Sequence, residues 1–264
     1  MFPIRDSIPR VHTPYAVYAI LALNVLAFLY QQTLSGPQLF HMLHLYGVVP
    51  ARYAYPDWAQ YVGYPLYGQL AFLTHLFLHG GWMHLIVNMW TLWIFGDNIE
   101  DVMGPVRFIV FYLLCGLAAM LAHMLADTAS TAPIIGASGA IAGVMGAYFL
   151  LYPHAKVLTI IPIVFIPLFF NLPAVVYLGI WFTIQLVAGL GSLSSQEGAS
   201  IAWWAHAGGF VAGVLLLPLF RRRGHCYYCR IPDAEAPHKA IVTPPAPATP
   251  ANTRKSPEQR TQDE

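Results

Sequence analysis

Charged side chains are scarce in this sequence. Only 9% of its 264 residues are Asp, Glu, Lys or Arg, whereas 57% are hydrophobic. Soluble domains carry much more charge than this, so the composition excludes that class. The formal net charge is +1, which gives no overall attraction to nucleic acid. Several apolar runs are long enough to span a bilayer, and the sequence therefore predicts a polytopic membrane protein.

Cysteine is also rare, and the three cysteines that are present offer no disulfide framework. Two of them lie in the segment His225-Cys226-Tyr227-Tyr228-Cys229, which contains metal-ligand residue types. Three ligands do not complete a tetrahedral zinc site. A basic juxtamembrane cluster that contacts anionic lipid is the simpler interpretation of this region, so we expect neither a metal nor a cofactor.

Six apolar runs define the predicted architecture, which is an all-α bundle of six transmembrane helices. They cover residues 15–30, 82–95, 106–126, 138–152, 173–190 and 201–220. The predicted domain spans 15–220, between a cytoplasmic lead at 1–14 and a basic, proline-rich tail at 221–264 that we expect to be disordered. Residues 157–170 are also apolar, but this run is short and contains two prolines. We therefore expect it to form an interfacial or re-entrant segment.

The longest predicted loop, residues 31–74, is rich in tyrosine, tryptophan and proline. Because amphipathic rings favour the headgroup level of a membrane, we expect this loop to lie half-sunk in the outer leaflet. The first apolar run follows a basic lead, as the apolar part of a signal peptide does. It is long for a signal peptide and no clean Ala-x-Ala site follows it, so we expect an uncleaved anchor.

Lysine and arginine predict the orientation of the bundle. With six spans, all but one of the 13 Lys and Arg residues fall on the side of the two termini, and the exception is Arg52. The positive-inside rule then puts both termini in the cytoplasm, and we expect a bacterial inner membrane. A separate crossing by residues 157–170 would turn the triplet Arg221-Arg222-Arg223 outward, against this rule.

Four polar side chains lie at a similar depth below the outer face of the predicted bundle. His84 and Asn88 share a face of the second span, Ser138 begins the fourth, and His206 lies near the outer end of the sixth. A serine at a helix start is usually an N-cap, and a single buried histidine is usually a packing residue. Intramembrane polar groups are costly, however, and four that converge from three helices predict a functional site.

Small residues explain how the fourth and sixth spans could approach each other. Each span carries a stripe of glycines that permits close backbone contact: Gly139 and Gly143, and Gly209 and Gly213. A serine and a histidine within hydrogen-bonding reach are a nucleophile and its base. The helix start at Ser138 also offers free N–H groups to a developing oxyanion, and His84 and Asn88 could add side-chain donors.

Acidic residues are missing from the cores of the spans. All 12 fall in loops, tails or span ends, which excludes a paired-aspartate protease. No His-Glu-x-x-His segment of a zinc protease is present either. His206 is left without a carboxylate partner, so the predicted catalytic unit is a dyad of Ser138 and His206.

Taken together, these motifs resemble the rhomboid family of intramembrane serine proteases. The matching features are Gly136-Ala137-Ser138-Gly139, Ala205-His206 with its two following glycines, the H-x4-H-x3-N pattern of His79, His84 and Asn88, and Glu100 with Gly104. The resemblance implies a six-helix fold with Ser138 as nucleophile and His206 as base. It also implies that His84, Asn88, Gly136 and the Ser138 N–H surround the oxyanion. The implied substrates are single-span membrane proteins cut near the outer face at small residues.

Two departures from the family pattern leave questions open. Ala142 stands where several members have an aromatic residue against the histidine ring, and the first loop has no Trp-Arg pair. Two alternatives also remain. One is a catalytically silent relative that binds membrane clients. The other is a haem or metal membrane protein that uses the histidines of the spans and loops, which are His75, His79, His84, His123 and His206.

Overall fold

The computed structural model describes residues 1–65, 68–163, 166–192, 203–222, 224–226 and 228–229. The described chain is mostly helical. Its elements in order are β1 (Phe2–Arg5), α1 (Tyr15–Gln32), α2 (Gly36–Tyr46), α3 (Pro50–Ala54), α4 (Pro56–Tyr61), α5 (Ala71–Thr74), a 3-10 turn (His75–Phe77), α6 (Trp82–Met103), α7 (Pro105–Ala126), α8 (Ser138–Leu151), β2 (Lys156–Ile163), β3 (Ile166–Pro173), α9 (Ala174–Ser192) and α10 (Trp203–Phe220).

Each of the six predicted spans coincides with a helix: α1, α6, α7, α8, α9 and α10. Four of these are individually long and apolar enough to cross a membrane, namely α1, α7, α10 and residues Ala174–Gly191 of α9. The apolar helix α8 has 14 residues. The chain is therefore an integral membrane protein with several apolar helices, and α6 and α8 pack in the same bundle as the other four.

The second span is longer than predicted. We expected it to end at residue 95, but α6 continues to Met103 and ends at Gly104, whose φ of 75° favours glycine. Glu100 lies in the added turns and accepts hydrogen bonds from the backbone N–H groups of Ala16 (3.0 Å) and Val17 (2.8 Å). These two N–H groups belong to the first turn of α1, where no intrahelical partner exists. The Glu100 carboxylate, which the sequence analysis placed at the end of a span, is thus buried and caps the first turn of α1.

An antiparallel sheet corrects the predicted all-α fold. Strands β2 and β3 form a hairpin, and β1 from the N-terminal lead pairs with β2, giving the order β1-β2-β3. The run 157–170 is rich in β-branched and aromatic residues, which favour extended backbone. Its apolar residues point to both faces, so no alternating pattern marked it as a strand. Lys156 pairs with Pro173, so the run ends where it began. The hairpin therefore returns to its starting point, as expected for a segment that is not a separate crossing.

The described ends of the chain meet at one end of the bundle. In the N-terminal lead, the backbone N–H groups of Val11 (2.6 Å) and His12 (2.8 Å) donate to Asp101 near the end of α6. At the other end of the sequence, the N–H of Arg222 donates to the carbonyl of Val102 at 3.0 Å. Tyr148, near the end of α8, donates to Asp6 of the same lead. Helices α6, α8 and α10 therefore all end here and begin at the opposite end of the bundle. We call the end with the lead and the sheet the anchoring end.

Helix α8 lies at the centre of the bundle and contacts α6, α7, α9 and α10. Every residue from Gly139 to Tyr148 is buried. A methyl group on Gly209 would overlap the carbonyl oxygen of Gly139, and one on Gly213 would overlap that of Gly143. The backbones of α8 and α10 are therefore in direct contact, and this contact sets the position of the candidate site.

The C-terminal segment holds a disulfide between Cys226 and Cys229. This single bond joins residues only three positions apart, so it is not the framework of a disulfide-stabilised fold. Both thiols suggested as metal ligands are used in that bond, and Cys226 packs into the core at the anchoring end. The tail predicted to be disordered lies, from residue 230 onward, outside the described residues.

Candidate active site

Ser138 is the first residue of α8, and the loop before it is shaped by Gly136. The φ of Gly136 is 114°, which L side chains rarely adopt. Its N–H donates to the carbonyl of His75 at 2.8 Å. A methyl group at this position would lie 2.7 Å from Nε2 of His84. Position 136 therefore requires glycine for two reasons: its φ is positive, and the ring of His84 leaves no room for a side chain.

His206 reaches Ser138 from α10. The distance between His206 Nε2 and Ser138 Oγ is 2.8 Å, although the two residues are 68 positions apart in the chain. The backbone contact between α8 and α10 makes this approach possible, because Gly209 lies one turn below His206 and fits directly against Gly139. Both side chains are partly buried. A neutral imidazole at this distance can accept the serine proton.

The second ring nitrogen of His206 has a partner that the sequence analysis missed. His206 Nδ1 lies 2.7 Å from Oε1 of Gln185, in α9. The missed signal was the position of Gln185 itself, since an amide inside an apolar span is costly and is a functional candidate by default. Gln185 is buried, and its side chain spans the gap between α9 and α10.

Two side-chain donors face the loop in front of Ser138. Nδ1 of His84 lies 3.3 Å from the N–H of Gly80 and accepts its hydrogen bond, so the proton of the neutral ring is on Nε2, on the side of Gly136. Nδ2 of Asn88 is buried and has no hydrogen-bond partner among the described residues. Buried donors are normally paired, and an unpaired one beside a nucleophile suits a group that arrives with the substrate.

A family model described as the Rhomboid domain matches residues 67–223. This chain belongs to the rhomboid family. Rhomboid protein 1, mitochondrial, of Saccharomyces cerevisiae is 29% identical over 216 residues, which is 78% of this chain and 53% of the yeast protein. RHOMBOID-like protein 5 of Arabidopsis thaliana is 36% identical over 75 residues, 28% of this chain and 24% of the plant protein.

A third relative is the presenilin-associated rhomboid-like protein A, mitochondrial, of Danio rerio, which is 32% identical over 91 residues. The match covers 33% of this chain and 24% of the fish protein. The rhomboid chain thus spans about half of the yeast relative and about a quarter of the other two. Two of the three are mitochondrial by name, so the expected bacterial inner membrane has no support among them.

Aromatic rings enclose the histidine of this rhomboid even though Ala142 stands where several members have an aromatic residue. The ring of Trp181, from α9, has its centroid 5.9 Å from that of His206. Trp203, from α10 itself, lies edge-on at 6.5 Å. Ala142 is completely buried. The rings that support His206 therefore come from α9 and α10 rather than from α8.

The first loop of the rhomboid chain lacks a Trp-Arg pair but is held by a single buried arginine. The guanidinium of Arg52 donates to the carbonyls of Leu45 (3.3 Å) and Pro65 (3.1 Å), and it lies 5.0 Å from the ring centroid of Tyr64. The same loop is joined to the approach to Ser138, because Val48 and Ile134 exchange backbone hydrogen bonds of 3.1 and 2.8 Å. The loop therefore helps to fix the segment that ends at Gly136.

His79 completes the histidine pattern without contacting Ser138. Its backbone is clamped to α1, because its N–H donates to Oε1 of Gln31 (3.0 Å) and its carbonyl accepts from Nε2 of the same side chain (2.9 Å). Its ring packs against His84 at a centroid distance of 5.0 Å. His79 therefore positions His84, and Gln31 is a second residue that sequence reasoning missed.

Proposed function

We propose that this rhomboid is an intramembrane serine endopeptidase that cleaves transmembrane segments of membrane-protein substrates. The observation that carries the proposal is the 2.8 Å contact between His206 Nε2 and Ser138 Oγ at the start of a buried apolar helix. Family membership supports it, since rhomboids are generally proteases of this kind. The catalytic residues are Ser138 as nucleophile and His206 as general base, and no cofactor is required.

The reaction follows from the two side chains. Ser138 Oγ attacks the scissile carbonyl carbon while its proton moves to His206 Nε2. The tetrahedral intermediate then loses the amine, which takes the proton from His206, and an acyl-enzyme remains. Water attacks that ester with His206 again as base, which releases the new carboxyl end and restores Ser138. The oxyanion receives hydrogen bonds from His84 Nε2, Asn88 Nδ2 and the backbone N–H groups at the Ser138 helix start.

A narrow recess beside Ser138 supports substrates with a small side chain at the cleavage site. It has room for about one water-sized sphere, and Gly116, Ala119 and Met120 are among its lining residues. A methyl group fits a space of that order, whereas a leucine side chain does not.

We also propose that the anchoring end, with both described ends of the chain, faces the cytoplasm if the protein lies in a cell membrane. In any other membrane, it faces the side that holds the basic loops and termini. The distribution of Lys and Arg supports this orientation. Ser138 lies at the opposite end of α8 from the anchoring end. Cleavage would then take place near the outer face, and the lipid bilayer is the medium through which substrates arrive.

The test is labelling of the purified full chain with a serine-directed fluorophosphonate, together with cleavage of a model transmembrane substrate. We expect the wild type to be labelled and to cleave, and Ser138→Ala to do neither. Ser35→Ala is the matched control, because Ser35 caps α2 at the protein surface. Cleavage by Ser138→Ala protein would overturn the proposal, and folded wild-type protein that is neither labelled nor active would indicate a silent client-binding relative.

A further inference from the structure

Gln185 occupies an unusual position for an amide. It is buried in α9, a helix that is otherwise almost entirely apolar. Two residues earlier, the hydroxyl of Thr183 donates to the carbonyl of Gly179 in the same helix at 2.9 Å, so it needs no partner on another helix. Gln185 instead reaches out of its helix to His206 Nδ1. An amide that is placed in an apolar span at a free-energy cost and then directed at one ring nitrogen calls for a specific role.

The contact decides which nitrogen of His206 carries the proton. The side-chain oxygen of glutamine can only accept a hydrogen bond, so at 2.7 Å it requires a hydrogen on Nδ1. A neutral imidazole carries one proton. Nε2 is then unprotonated, and its lone pair faces the hydroxyl of Ser138. The opposite tautomer would turn an N–H toward Ser138, and that nitrogen could not accept the serine proton.

We propose that Gln185 is the positioning residue for the general base: its side-chain oxygen holds His206 in the tautomer and orientation that present a free Nε2 to Ser138. This inference rests on the proposed protease function. It adds a third member, a neutral amide on α9, to a unit that the absence of span carboxylates predicted to be a dyad. Gln185 touches neither substrate nor the reacting atoms, so it acts through His206 alone.

The packing of α9 supports this role. Trp181, Gln185 and Gly189 are spaced four residues apart, so they share one face of the helix. Trp181 contacts the ring of His206, and a methyl group on Gly189 would lie 3.3 Å from Trp204 of α10. The whole face is therefore directed at the segment of α10 that carries His206. A displacement of α9 would remove the hydrogen bond and a ring contact at the same time.

The first arm of the test compares three variants of the purified full chain in cleavage of a model transmembrane substrate. Gln185→Met keeps the size of the side chain but has no oxygen to accept from Nδ1. We expect kcat to fall about 10- to 100-fold, because this hydrogen bond is made to a ring that becomes charged in the transition state, while KM changes little. Thr183→Val is the control on the same helix and should keep the wild-type kcat.

Gln185→Glu is the conservative variant, because it restores an acceptor at the same distance. We expect it to recover most of the lost kcat and to move the acid limb of the pH–rate profile to higher pH, since a carboxylate stabilises the imidazolium. The other titratable groups whose charge acts on His206 are His84 of α6 and His123 of α7. Both are unchanged in every variant, so a shift of the limb reports on position 185.

The second arm is independent of catalysis. Nitrogen NMR of isotope-labelled histidine, with the His206 signals assigned by their loss in His206→Ala, reports which ring nitrogen carries the proton. We expect protonated Nδ1 in the wild type and a mixture of the two tautomers in Gln185→Met. The inference is overturned if Gln185→Met keeps the wild-type kcat, or if its tautomer is unchanged. If the wild type itself does not cleave, the protease proposal fails, and the tautomer measurement still decides whether Gln185 fixes the ring.

Discussion

The two ends of the helix bundle differ in how their buried polar groups are paired. At the anchoring end, Glu100 accepts two backbone N–H groups of α1 and Asp101 accepts two from the N-terminal lead. Among the described residues, one side-chain oxygen at this end, Oδ1 of Asn98, is buried without a partner. At the end that carries Ser138, Nδ2 of Asn88 and both ring nitrogens of His79 are buried without one. Paired groups stabilise a fold, whereas unpaired buried ones cost free energy and persist where another molecule must bind. The first end therefore holds the bundle together, and the second carries the candidate active site.

The largest loss of cleavage should come from separating α8 and α10, which meet at the end that carries Ser138. In Gly209→Ala, the new methyl group overlaps the carbonyl oxygen of Gly139, next to Ser138. The backbones must move apart, so the contact between His206 and Ser138 lengthens and cleavage falls about 100-fold or more. Gly179→Ala is the matched control, because a methyl group there has no neighbour within 4 Å. It should leave activity unchanged.

This prediction is checked by turnover of a model transmembrane substrate and by fluorophosphonate labelling of each variant. Gly179→Ala should also raise the thermal stability slightly, because alanine favours a helix by about 1 kcal/mol over glycine. If Gly209→Ala cleaves as fast as Gly179→Ala does, the direct contact between α8 and α10 does not determine the geometry of the dyad.

A second pair of variants tests the difference between the two ends directly. Asn88→Ala removes a donor that has no partner among the described residues, so we expect unchanged or slightly higher stability. One main oxyanion donor contributes about 3–4 kcal/mol, and His84 can compensate in part, so cleavage should fall about 10- to 100-fold. Labelling of Ser138 should persist.

Glu100→Ala should show the reverse pattern. It removes two hydrogen bonds made to a charged group, which lowers the free energy of unfolding by about 2–4 kcal/mol, while kcat per folded molecule stays near the wild-type value. Glu100→Gln keeps one acceptor oxygen, so its free energy of unfolding should lie between those of the wild type and Glu100→Ala. Unfolding in a denaturant series and turnover at low temperature measure the two quantities. If fully folded Glu100→Ala protein lost as much turnover as Asn88→Ala does, the proposed division between the two ends would be wrong.

The sequence predicted those parts of the molecule that depend on a single stretch of chain. The six predicted helices begin and end within a few residues of the expected positions, except at the end of α6, because length and apolar character are local properties. The short helices α2 to α5 lie in the segment 31–74, which was predicted as a loop. Ser138, His206, His84 and Asn88 were singled out as candidates because polar residues are conspicuous inside apolar runs. The glycine stripes suggested which two helices would approach each other.

What the sequence did not reveal depends on distant partners. Strand β1 was overlooked because residues Phe2–Arg5 pair with a strand more than 150 positions away. Glu100 resembled the polar end of a span because its partners, the N–H groups of α1, belong to the backbone and leave no mark in the side-chain pattern. Gln185 was visible as an amide in an apolar run, but nothing local to α9 indicated that its partner would be the base on α10.

The smallest effect is a pH dependence of stability at the anchoring end. Asp6 follows β1 and accepts a hydrogen bond from the hydroxyl of Tyr148 in α8 at 2.5 Å. Burial raises the pKa of Asp6 from 3.8 to about 6, and the Tyr148 hydrogen bond opposes that shift only in part. The folded protein therefore binds this proton more tightly than the unfolded chain does. The resulting stabilisation is fully present below pH 3.8 and is lost as the pH rises through about 6.

Asp6→Asn isolates this contribution, because asparagine keeps the oxygen that accepts from Tyr148 but carries no charge at any pH. At pH 8 we expect Asp6→Asn to be more stable than the wild type by about 1–2 kcal/mol, which is the shift in pKa discounted for the partial exposure of the carboxyl group. At pH 5 about half of this difference should remain, because Asp6 is then protonated in the folded protein but ionised in the unfolded chain, and it should disappear only below about pH 3.8. Denaturant unfolding of both proteins at the two pH values measures it. A difference that does not change between pH 5 and pH 8 would mean that Asp6 is ionised throughout, and that the sheet is joined to α8 by a charged rather than a neutral hydrogen bond.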